Sequence, residues 1–270
     1  MLAPVTEVWN HRSIVMNLTQ RELKAKYKKS VLGWLWSLLN PASTLLIYSV
    51  VFGVFLKVVP PVAGNGELKN YAVYLFTALV VWNFFNAAVV GSMEGMVGAG
   101  PLIRKVYLPP ECIPLSVVLA AVLQTVIEAG LLVAVMIAVG NVSLTFLLFP
   151  VLLVLLMLFS TGVGLVVAMM NVYYRDVRYL VTIALLFLFY ATPIIYTIDL
   201  IPEEHWGLPM RDIVEANPLT QFVEAARSIF YLLEVPALDT WAYLVAVAVG
   251  SLALGWWLFA RRSAELAEEL

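Results

Sequence analysis

Cysteine is almost missing from this sequence: Cys112 stands alone in 270 residues, so no internal disulfide can form. Histidine is nearly as scarce, with only His11 and His205, and no cysteine–histidine cluster suggests a metal. Charge is thin as well, at 13% of residues, where soluble domains carry about a quarter. Several chemical signatures are absent too. There is no G-x-x-x-x-G-K-[ST] phosphate loop, and the glycine-rich piece GSMEGMVGAG has no lysine to reach a nucleotide phosphate. No G-x-S-x-G elbow and no H-E-x-x-H pair occur. This chain does not hydrolyse ATP by itself, although a separate subunit could drive it.

What remains is apolar. Hydrophobic residues make up 62% of the chain and the mean hydropathy is +0.92. That is the composition of an integral membrane protein, all-α and polytopic, read as a single transmembrane domain over 1–270. The first 30 residues hold charged and polar groups without an early apolar core, unlike a cleavable leader. A membrane helix needs about 20 apolar residues. Six runs qualify: 34–57, 71–97, 113–139, 143–171, 178–198 and 240–260. Pro41 predicts a kink or a late start in the first, and Pro150 a tilt or break in the fourth.

The cations are unevenly shared. Twelve fall on one side of this topology: Arg12, Arg21, Lys24, Lys26, Lys28, Lys29, Arg104, Lys105, Arg175, Arg178, Arg261 and Arg262. Four fall on the other, Lys57, Lys69, Arg211 and Arg227. The positive-inside rule therefore puts both termini of a multi-pass membrane protein in the cytoplasm. Residues 1–30 read as a cytoplasmic interfacial segment, an amphipathic helix followed by the basic run RELKAKYKK. The external segment 199–239 carries eight acids and an amphipathic stretch over 212–233, too charged for an ordinary span. It reads either as short re-entrant helices packed against protein or as a helix lying on the surface.

Some polar residues admit two readings. Glu128 falls in mid-span, either as a proton carrier or as a hydrogen-bonded carboxyl facing the bundle interior, with Gln124 one turn away. Glu94 lies near a span end, where it reaches the interface or pairs with a cation. Arg175 and Asp176 close a helix, either as a snorkelling arginine and an N-capping aspartate or as contact residues. The loop GPLIRKVYLPPEC, residues 100–112, is either a polar turn that obeys the charge rule or a surface gripped by another protein.

Four stretches in order carry a resemblance. YKKSVLGWLWSLLNP (27–41), GPLIRKVYLPPECIPL (100–115), NVYYRDVRYL (171–180) and TPIIY with NPLTQFVEAAR (192–196 and 217–227) together resemble the membrane subunits of type-2 ABC exporters. More narrowly, the chain is similar to permeases that export lipid-linked polysaccharide such as O-antigen, teichoic acid or galactan. The resemblance implies a transport subunit without catalytic residues or a metal, working as a homodimer with two copies of an ATP-binding subunit that holds ATP and Mg. Nucleic acid is not among the implied partners. It makes the 100–112 loop a coupling helix in a groove of the ATPase, formed by Leu102, Arg104, Lys105, Val106, Tyr107, Leu108, Pro109, Pro110 and Glu111. Arg104 and Lys105 would pair with acids, Tyr107 and Leu108 would anchor, and the two prolines would stiffen the end. Arg21, Lys24, Lys28, Arg175 and Asp176 would lie on the same cytoplasmic interface. A channel between protomers would be lined by aromatics able to stack on sugar rings, with Trp34, Trp36, Tyr48, Trp82, Phe84 and Phe85 as candidates. The competing role for those rings is the interfacial belt. Rival functions are a type-2 exporter of a drug or lipid, a secondary transporter using Glu128, and a membrane enzyme acting on polyprenyl-linked sugars through Glu203, Glu204 and His205.

Overall fold

The computed structural model describes residues 8–26, 28, 30–68, 70–103, 108–204 and 207–269. Ten α-helices occur among them: α1 (Arg12–Lys26), α2 (Trp36–Tyr48), α3 (Tyr71–Gly98), α4 (Gly100–Ile103), α5 (Cys112–Ala138), α6 (Phe149–Tyr173), α7 (Val177–Ala191), α8 (Met210–Glu215), α9 (Pro218–Arg227) and α10 (Leu238–Glu269). Short 3-10 turns precede α2 and α6, and π-helical turns follow α2 (Ser49–Phe55) and α9 (Ser228–Leu232).

Five helical stretches are long and apolar enough to cross a membrane: Gly33–Phe55, Tyr71–Gly98, Cys112–Ala138, Leu144–Tyr173 and Leu238–Ser263. The fifth run, read as 178–198, becomes the 15-residue helix α7. At 1.5 Å per residue α7 spans about 22 Å, less than a bilayer core of about 30 Å. Its stop has a local cause. Pro193 disfavours helical backbone at the residue before it, and Thr192 is extended at ψ 134°.

The two prolines act differently from expectation. Pro41 neither kinks α2 into two pieces nor starts it, since the helix runs through it from Trp36 to Tyr48. Proline has no N–H to give the carbonyl one turn back, Ser37 O, and Gln124 Nε2 of α5 donates to that oxygen instead at 3.0 Å. Pro150 sits in the first turn of α6, where a missing N–H costs nothing.

Helix starts are capped where the sequence offers asparagine or serine. Asn70 Oδ1 accepts from Ala72 N and Val73 N at the head of α3. Asn217 Oδ1 accepts from Leu219 N at the head of α9. Asp176 precedes α7 but its side chain makes no capping bond, so the expected aspartate cap is not formed.

In lipid, helices gain little from hiding apolar surface, so close contact and hydrogen bonds hold the bundle. α3 is apolar on all sides and buried among α5, α6 and α9. α6 and α10 come closest to one another. A Cβ built on Gly162 would stand 2.3 Å from the Ser251 carbonyl, and one on Gly255 would stand 2.2 Å from Gly162 O. One apolar core joins α3, α5, α6, α9 and the following π-turn; a second gathers Val15, Leu18, Met96, Leu108, Cys112, Leu165 and Phe259 at the arginine-rich end.

Candidate functional site

The amphipathic stretch 212–233 does not lie on the surface as one helix. It divides into α8, α9 and the π-turn, and Leu219, Phe222, Val223, Ile229, Phe230 and Tyr231 are buried in the main core. These residues therefore pack on the chain's own helices.

Its centre is Arg227, which is fully buried. Nη1 donates to Glu224 Oε1 at 2.7 Å, Nη2 donates to Ile194 O at 2.9 Å, and the guanidinium lies 3.9 Å from the centre of the Tyr74 ring. The neighbouring Tyr71 hydroxyl donates to Ile195 O, and Asn217 Nδ2 donates to Thr192 Oγ1 at 3.0 Å. The non-helical 192–195 backbone left by Pro193 is therefore held by donors from α3 and α9. A buried cation is tolerated because it has a carboxylate, a carbonyl and a π-face at once.

A second knot fastens the π-turn. Asn141, wholly buried, donates through Nδ2 to Phe230 O (3.0 Å) and Tyr231 O (3.1 Å), while its Oδ1 accepts from Asn65 N (3.1 Å). Thr145 Oγ1 donates to Ile229 O at 2.8 Å. Tyr231 donates to Pro61 O at 3.0 Å, and burial pushes its phenol up to about 12, so it keeps its proton at neutral pH. None of these contacts was anticipated. The available signal was weak: a polar Asn141 after Gly140, whose φ of +72° lets the chain turn sharply between two apolar runs.

Midway along the bundle, Glu128 is 6% exposed and faces inward. Asn83 Nδ2 donates to Oε2 at 3.1 Å and Gln124 Nε2 donates to Oε1 at 3.3 Å. Gln124 also holds Ser37 O, so one side chain ties the carboxylate to the first span. This is the hydrogen-bonded carboxyl of the interior.

At the arginine-rich end, Glu94 pairs with Arg178 at 2.9 Å, the cation partner anticipated for it. Tyr173 donates to Glu265, which also pairs with Arg262. Arg21, Lys24, Lys28, Arg175 and Asp176 are exposed, so a partner could reach them. Of the loop residues, Arg104, Lys105, Val106 and Tyr107 lie outside the described residues. Leu102 is half-buried, whereas Leu108, Pro109 and Glu111 are buried in the chain's own second core. Leu108 is thus not an anchor offered outward. The proline pair opens α5 as well, since Pro109 O and Pro110 O accept from Cys112 N and Ile113 N.

The candidate aromatics separate into three groups. Trp34 and Trp36 are exposed on the first span. Phe84 and Phe85 are 1% and 3% exposed, enclosed by α3's neighbours, and present no face at the protomer surface. Phe85 stacks on Phe159 at 5.6 Å. Trp82 is half-buried and meets Phe189 of α7 edge-on at 5.2 Å; Tyr48 is half-buried beside Phe52. No group of three metal-ligating side chains occurs among the described residues. Glu203 and Glu204 are exposed, and His205 lies outside the described residues.

The ABC-2 type transporter family model matches residues 14–231. The chain is 30% identical to an O-antigen export system permease protein, RfbA, of Myxococcus xanthus, over the full length of both. It is 29% identical to the RfbA of Klebsiella pneumoniae over 80% of each chain. A polysialic acid transport protein, KpsM, of Escherichia coli is 25% identical over 77% of each. The matched region takes in the first span, the 100–112 loop and the buried 218–231 segment, and the chain belongs to the ABC-2 type transporter family.

Proposed function

We propose that this chain is the membrane-spanning permease subunit of an ATP-driven exporter, moving lipid-linked polysaccharide from the cytoplasm across the inner or plasma membrane. The observation that carries this reading is the likeness to an O-antigen export permease along the whole of both chains. The chain has no nucleotide site, so the energy comes from two copies of a separate ATP-binding subunit, which hold the ATP and Mg. Both termini lie in the cytoplasm on the charge bias. The exposed cations Arg21, Lys24, Lys28 and Arg175 then face that subunit, together with Arg104 and Lys105.

Two copies of the chain build the channel. The first span and α7 support this, because their apolar side chains are left bare: Leu46, Ile47, Val54 and Phe55 on one, Tyr179, Leu180, Ile183 and Phe187 on the other. Bare apolar surface on these two elements suits lipid or a second copy. Trp34 and Trp36 lie on this surface, where flat rings can stack on sugar C–H faces and let a polymer slide. Nucleotide-driven closure of the ATPases shifts the two half-channels as rigid bodies. The buried 218–232 segment forms the outer end of each half.

Co-expression with the ATPase encoded beside it tests the reading. The wild-type chain should co-purify with the ATPase, and the double reversal Arg104→Glu/Lys105→Glu should weaken the complex and lower surface polysaccharide in cells lacking the native permease. A chain that purifies alone and never retains an ATPase would end the reading.

A further inference from the structure

A groove of about 950 Å³ lies beneath the N-terminal helix. Its walls are α1 with the turn before it, the start of α5, the middle of α6 and the second half of α10. No residue of the first span or α7 lines it. It exists because α1 packs along α5 and stands off α6 and α10, where small Thr161, Ala253 and Ala260 leave room. Along α10 it runs from Val249 to Arg261, about 18 Å at helical rise.

Its chemistry is lopsided. Among the described residues the lining is apolar apart from Thr161 and two cations, Arg12 and Arg261, with no aspartate or glutamate. Neither arginine makes an ion pair among the described residues. Each instead rests on a tryptophan, Arg12 at 5.7 Å from the Trp9 ring and Arg261 at 3.8 Å from Trp257. Arg12 Nη1 also donates to Trp9 O at 3.3 Å, and the remaining N–H edges of the two guanidiniums are left for a phosphate oxygen.

We propose that this groove is a binding site for an anionic phospholipid of the cytoplasmic leaflet. An acyl chain fills the apolar length, and the phosphate meets Arg12 and Arg261. The occupant is a phospholipid because the slot is apolar and elongated, has positive charge without a carboxylate, and belongs to a bundle bathed in lipid. Bound there, the lipid bridges α1 to α10 and holds the N-terminal helix in place. The placement on the cytoplasmic side rests on the orientation given under Proposed function.

Native mass spectrometry of the delipidated full-length chain, titrated with dioleoyl phosphatidylglycerol, dioleoyl phosphatidylcholine or a short polyprenyl phosphate, is the test. Wild type should prefer phosphatidylglycerol to phosphatidylcholine by roughly tenfold or more, at about 1 kcal/mol for each arginine. Arg12→Gln/Arg261→Gln should remove that preference, and Arg12→Lys/Arg261→Lys should keep part of it. Ala253→Phe, which fills the slot and leaves both cations, should weaken both phospholipids. Equal binding of the two phospholipids by wild type, or an unchanged preference in the glutamine variant, overturns the proposal. So does stronger binding of the polyprenyl phosphate, which would make the groove a substrate site, or a change in oligomeric mass on Ala253→Phe with lipid binding intact. The measurement needs no ATPase, so failure of the permease reading and failure of the lipid site are separately visible.

Discussion

Arg227 and Tyr74 form a cation–π pair at 3.9 Å inside the bundle, with Glu224 completing the neutralisation at 2.7 Å. Because Arg227 is wholly enclosed and Glu224 keeps some contact with solvent, the two partners are not equivalent. Glu224→Gln strands a buried cation and should cost about 3 kcal/mol or more. Arg227→Met leaves a carboxylate that water can reach and should cost less than Glu224→Gln. Arg227→Lys keeps the charge but loses the fork that reaches Ile194 O, and should fall nearest to wild type. Thermal unfolding in detergent ranks the three; equal midpoints for wild type and Glu224→Gln would refute the account.

Asn141 gives a sharper sign test. Its amide donates to two carbonyls at once. Asn141→Ala leaves those carbonyls and Asn65 N short of partners, a loss of about 2–4 kcal/mol. Asn141→Asp keeps the size and turns the donor into an acceptor facing Phe230 O and Tyr231 O, so it should be worse than alanine. If aspartate proves the milder replacement, the hydrogen-bond assignment at this side chain is wrong.

The contact of α6 with α10 sets three glycines apart. Gly162→Ala and Gly255→Ala would push Cβ to within 2.3 Å of backbone atoms that cannot turn away. Each should destabilise by about 2 kcal/mol or more, the overpacking penalty. Gly250, on the same helix, has open space around its missing Cβ, and Gly250→Ala should be neutral or stabilising by up to about 1 kcal/mol. Denaturation midpoints of the three variants decide it.

Glu128 separates two transport classes. Glu128→Gln keeps the shape and the polar contacts with Asn83 and Gln124 after an amide turn. An ATP-driven permease should then export at close to the wild-type rate, whereas a proton-coupled carrier relying on this carboxylate should stop. Surface polysaccharide measured in complemented cells gives the answer.

The five long helices were legible because bilayer thickness fixes how many apolar residues a crossing needs. The shortness of α7 was half legible, since Pro193 marks the break inside a run that composition alone extends to 198. Side-chain knots were not. Gln124 meets Ser37 across 87 residues and Asn141 meets Phe230 across 89, distances at which local pattern carries no trace. Arg227 was counted among cations of the outer loop because charge is normally solvated; here Glu224, the Ile194 carbonyl and the Tyr74 ring replace the water. Phe84 and Phe85 read as span aromatics open to a channel, yet α3 is apolar on every side, so no polar stripe marks which face is enclosed.

The late position of residues 218–232 in the chain bears on how the protein is made. Phe230 closes on Phe149 at 4.9 Å and Tyr231 on Tyr74 at 5.2 Å, while Asn141 awaits their carbonyls. All of these receiving residues leave the ribosome first. Until the later segment arrives, an inserted nascent chain carries an unclosed amide and gaping aromatic sockets within the bilayer. Docking of residues 218–232 is what pairs these groups, and only then does α10 follow to pack on α6.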